Sequence, residues 1–108
     1  MERLQNGTPL LSTKEYRALT TAWCFASFRD EDPVLFAKFF DPYATGWTWY
    51  ATAYDEANGI FEGYVEGFEA EWGSWYASDM LKPIRMPGIG IERDLYFTPC
   101  RLSELGRF

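Results

Sequence analysis

The chain has 108 residues, 47% of them hydrophobic and 19% aromatic, with 16 acids, 10 bases, no histidine and a net charge of −6. That content fits one folded domain over residues 1–108 and argues against intrinsic disorder. The acidic balance disfavours direct binding to nucleic acid or to an anionic membrane, and the missing histidine removes Ser-His-Asp and Cys-His catalysis along with Cys/His zinc sites.

Met1 to Gly7 carries no apolar h-region, so no secretory signal is expected. Ser12-Thr13-Lys14-Glu15 reads as a capping box that starts a helix over about 13–20. Ala22 to Phe28 fits either an extended or a helical segment, and Arg29 to Pro33 reads as a polar loop. Strands are expected at Val34–Phe40, Trp47–Tyr54 and Ile60–Phe68, the last two joined by a hairpin loop with positive φ at Asn58-Gly59. Alternation in the third strand sends Phe61, Gly63, Val65 and Gly67 to a buried face, and Glu62, Tyr64 and Glu66 to the other. Glycines on an apolar face imply close approach of a bulky ring, with Trp47 and Trp49 as candidates.

Glu69 to Gly73 reads as a turn, Ser74–Ala77 as a short strand, and Ser78 as the cap of a brief helix over Asp79–Lys82. Met86–Gly90 reads as a rigid connector, Ile91–Phe97 as a last strand and Ser103–Leu105 as a closing helical turn. The expectation is an α+β fold: a twisted antiparallel sheet of about four to five strands with two short helices. Cys24 and Cys100 are expected to be two buried, unpaired thiols. No segment nears a membrane span, so a cytoplasmic protein is expected, as a monomer.

Charge is distributed unevenly. Between Lys38 and Lys82 there is no base, yet Asp41, Asp55, Glu56, Glu62, Glu66, Glu69, Glu71 and Asp79 all fall there. Like charges about 7 Å apart repel by roughly 0.6 kcal/mol in water, and a basic partner would relieve that cost. The competing reading is a solvated acidic face with no partner. The residues singled out for partner binding are Asp55, Glu56, Glu62, Tyr64, Glu66, Glu69 and Glu71. No catalytic residue, metal site or cofactor is expected. Carboxylate-based glycoside cleavage is a weaker option, because Glu62 and Glu66 on one strand sit roughly 13 Å apart. A cation site at Asp55, Glu56 and Asn58 lacks EF-hand spacing. A small-ligand or carbohydrate-binding module using the aromatic face stands as the alternative.

Three blocks, Trp47-Thr-Trp-Tyr50, Phe61-Glu-Gly-Tyr-Val-Glu-Gly67 and Ile91-Glu-Arg-Asp-Leu-Tyr-Phe97, resemble the family known as domain of unknown function 2958. Leu10-Leu11 before Thr13-Lys14-Glu15 and the closing Leu102-Ser-Glu-Leu105 extend the likeness over nearly the whole chain. The segment from Glu69 to Tyr76 departs from the family pattern. The resemblance implies carriage by plasmids, integrative elements and phages, and brings no catalytic residues. It further implies a non-enzymatic anti-CRISPR inhibitor of a type I-C interference complex (Cascade). Such a protein would block target DNA through an acidic, DNA-mimicking surface set against a basic DNA-binding channel.

Overall fold

The computed structural model describes residues 2–105. The capping box forms as expected: the Glu15 N–H donates to Ser12 Oγ at 3.1 Å, and the Ser12 N–H donates to the Glu15 carboxylate at 2.8 Å. Helix α1 (Thr13–Phe25) then runs well past the expected end at residue 20. Thr20 is tolerated because its hydroxyl donates to the Tyr16 carbonyl at 2.8 Å, leaving no unpaired polar group. The helix ends at Ala26, which takes the left-handed conformation at φ 55° and feeds a 3-10 turn over Ser27–Arg29.

Five antiparallel strands form the main sheet in the order β5-β4-β3-β2-β8, built from β2 (Ala37–Phe40), β3 (Thr48–Asp55), β4 (Ile60–Glu66), β5 (Ala70–Tyr76) and β8 (Glu92–Arg93). Two small sheets flank it: β1 (Val34–Leu35) with β9 (Cys100–Arg101), and β6 (Pro83–Ile84) with β7 (Met86–Gly90). A four-residue helix, α2 (Ala77–Met80), follows β5. The α+β expectation therefore holds. Among the described residues no helix is long and apolar enough to cross a membrane.

Both sheet faces are packed, unequally. On one, Leu19 of α1 and Leu10-Leu11 bury Phe39, Ala51 and Phe61, with Trp49 and Trp75 at the margin. On the other, a smaller cluster of Leu35, Tyr50 and Leu102 is joined by half-buried Tyr64, Phe97 and Leu105. Thr52 forms a bulge between the pairs Ala51↔Gly63 and Ala53↔Glu62. Bulges of this kind sharpen the local twist.

Several expectations fail for identifiable reasons. The first strand breaks at Phe36, because Val34–Leu35 pairs with β9 whereas Ala37–Phe40 pairs with β3. Residues 70–73 are strand rather than turn, since β5 pairs with β4 along its full length and the hairpin closes earlier, with the Gly67 N–H donating to the Glu69 carbonyl. The connector 86–90 is strand β7, folded back on β6. The last strand stops at Arg93, where Asp94 turns the chain by accepting from the Tyr96 N–H on its carboxylate and from the Phe97 N–H on its carbonyl. Helix α2 starts one residue before Ser78 without a side-chain cap. Only Gly59 of the Asn58-Gly59 pair has positive φ, at 66°. Both cysteines are free, but neither is fully buried: Cys24 is exposed and Cys100 half-buried.

Candidate partner-binding surface

Strand alternation in β4 is as read, but the buried face is buried only in part: Phe61 and Gly63 are buried, Val65 and Gly67 half-buried, and Glu62, Tyr64 and Glu66 project from the opposite face. That face is half-covered, not bare. Tyr64 lies 6.5 Å from the Tyr50 ring and meets Trp72 edge-on at 5.3 Å. Cross-strand register continues the row, Lys38↔Tyr50↔Tyr64↔Trp72, with the Lys38 ammonium 5.8 Å from the Tyr50 ring centroid and 3.7 Å from Asp94. Tyr64 is thus a packing residue as much as a contact residue.

The seven sequence-selected residues do not form one row. Glu62 accepts a hydrogen bond from the Ser74 hydroxyl on β5. Glu66 lies on the same face about 13 Å along the strand. Glu69 is exposed at the β4–β5 turn, where Phe68 is 95% exposed and its ring meets Trp47 edge-on at 5.4 Å. Glu71 pairs with Val65 and therefore points to the face opposite Glu62 and Glu66.

Asp55 is corrected outright. It is buried, and its carboxylate accepts from both the backbone and side-chain N–H groups of Asn58, tying the β3–β4 turn. Glu56 is exposed in that same turn, about 20 Å along β4 from the Glu66 end. There it acts on Tyr16, whose phenol its carboxylate pushes above the ordinary value by hydrogen bonding.

Asp41, another acid of the basic-free stretch, is also structural. Burial opposes its charge, but the N–H groups of Tyr43, Ala44 and Thr45 and the Thr45 hydroxyl outweigh burial and hold its pKa below the usual carboxylate value.

Sequence reasoning missed what the fold brings beside Glu62. The turn after α1 places Arg29, Asp30 and Glu31 along an open groove of about 490 Å³, whose other wall is Glu62, Trp72 and Ser74. No local pattern announces this, because the acids stand some thirty residues before Glu62 in the chain and next to a base. Among the described residues no group of three or more histidine, cysteine or acidic side chains is placed to hold a metal ion.

The family model described as "Protein of unknown function (DUF2958)" matches residues 10–106. The chain belongs to the DUF2958 family. No curated protein and no solved structure gives a significant match. Within this DUF2958 chain the matched region takes in α1, the nine strands of the described residues and the β4–β5 hairpin.

Proposed function

We propose that this protein acts by occupancy rather than by catalysis, binding a basic protein surface through the β4–β5 hairpin and the groove beside it. The observation that carries the reading is the grouping of Glu62, Glu66 and Glu69 with exposed Phe68 and Trp72 on one hairpin that contains no lysine or arginine. Clustered carboxylates and aromatic rings together attract guanidinium and ammonium groups.

The specific target we propose is the DNA-binding channel of a type I-C Cascade, in keeping with the mobile-element setting that the family resemblance implies. Such channels hold phosphates with lysine and arginine. Same-face positions on β4 repeat every ~6.7 Å, about two phosphate steps along one DNA strand. Glu62 and Glu66, two such repeats apart with Tyr64 between them, therefore match about four phosphate steps. The test is co-purification with type I-C Cascade and competition with target DNA. Binding that blocks DNA loading supports the proposal, and absence of both binding and blocking overturns it.

A further inference from the structure

Strand β5 lies at the end of the sheet order, and among the described residues nothing pairs with its outer edge. The alternate backbone N–H and C=O groups that point outward along these seven residues are a ready template for another strand. Trp72 and Tyr76 stand on this edge, 48% and 56% exposed, on the same face as Ser74 and Glu62. Gly73 sits between them, and a Cβ added there would meet nothing within 4 Å. Its missing side chain thus serves no packing inside the chain, and a strand glycine without an internal reason suits close approach by a second backbone.

Charge selects the occupant. A second copy would bring another net −6, with its own Glu69 and Glu71, against the same edge. A basic segment would meet Glu62, Asp30 and Glu31 across the groove, opposed by Arg29 alone.

We propose that the outer edge of β5 takes up an extended lysine- or arginine-bearing segment of a partner protein as a sixth strand. A side chain opposite Ser74 would stand about 5 Å from it. A cation there enters the groove between the Trp72 ring and the Glu62 carboxylate. This rests on the partner being basic, not on which basic partner it is.

The probe is a peptide of alternating lysine and valine, with two counterparts N-methylated on either alternate set of residues. N-methylation keeps charge and removes the N–H donors that strand addition needs. We expect the parent peptide to slow hydrogen exchange at the β5 amides, and at least one N-methylated set to bind about tenfold or more weakly. Trp72→Ala and Glu62→Gln should each weaken the parent peptide, measured at a temperature where thermal unfolding shows each variant fully folded. Equal binding of all three peptides, or protection away from β5, overturns the proposal. So does β5 protection that rises with protein concentration without peptide, which would assign the edge to a second copy. Binding to Cascade that persists without β5 protection would sink strand addition while leaving the proposed function standing.

Discussion

A Cβ on Gly67 would lie 2.8 Å from the Trp47 ring, so the absence of a side chain at this position is what lets the indole reach the β4 backbone. Trp47 in turn leans at a tilt on Trp49, 6.1 Å away, and meets Phe68 at the hairpin tip edge-on. Gly67→Ala should therefore cost about 1–3 kcal/mol as the indole is displaced. Gly63 is more constrained, because its Cβ would fall 1.9 Å from the Tyr50 carbonyl oxygen, which is backbone and cannot swing aside. Gly63→Ala should exceed the Gly67 variant, at roughly 3–4 kcal/mol. Urea unfolding of both variants checks the order, and a silent Gly63→Ala would contradict the register.

Tyr64→Ala should lower stability by about 2–3 kcal/mol, since its ring packs between Tyr50 and Trp72. Val65→Ala should cost under about 1 kcal/mol, because the side chain is only half-buried. Strand alternation alone leads to the reverse order. The paired melts distinguish the two.

Alternation failed there because it assigns a side to each residue, not what covers that side. The capping box at Ser12, the Gly59 turn and the faces of residues 61–67 were legible, as each is encoded within a few residues. Strand β5 was only half legible: residues 70–73 read as a turn, and only the ladder against β4 holds them extended. Strand β9 is invisible, being set by a distant partner, whereas β1 and β8 fall inside expected strands whose bounds their partners trimmed. Of the site, Glu62 and Glu66 were readable from period two. Asp55 was not, because a carboxylate that ties its own turn looks in sequence like any acid.

Asp41 and Asp32 should shape the acid limb of stability. The Ser103 hydroxyl and N–H hold Asp32 below the usual carboxylate value, as the turn holds Asp41. A pKa depressed on folding adds stability that is present above the unfolded value and lost as pH falls through the folded one. Stability should therefore decline as pH drops below the ordinary aspartate range, and Asp41→Asn should flatten that decline. Asp41→Ala should cost about 2–3 kcal/mol at neutral pH by stranding its donors. Melting series between neutral and acid pH test both statements.

Charge reversal of Glu62 and Glu66 to lysine should abolish partner binding, whereas Glu71→Lys, on the other face, should weaken it less. Affinity should fall steeply with ionic strength, chiefly through slower association. Salt-independent affinity would make the aromatic residues the anchor instead.

The two thiols should differ in reactivity. Cys24 is exposed at the end of α1, whereas burial and then Glu104 push the Cys100 thiol above its ordinary pKa. Alkylation at neutral pH should label Cys24 first, as peptide mass mapping would reveal.

The small β1–β9 sheet has a kinetic consequence. The Asp32 carboxylate and Ser103 hydroxyl meet at 2.6 Å across 71 residues of chain, whereas β3, β4 and β5 meet through short hairpins. Closing the longer loop costs more chain entropy and is rewarded only once the centre exists. The hairpin that carries Glu62, Glu66 and Trp72 should then assemble early, with the C-terminal clasp last to lock and first to open. Its opening would release Leu102 from Tyr50 and uncover one end of the aromatic row, so hydrogen exchange at residues 100–102 should report the loosest part of an otherwise cooperative domain.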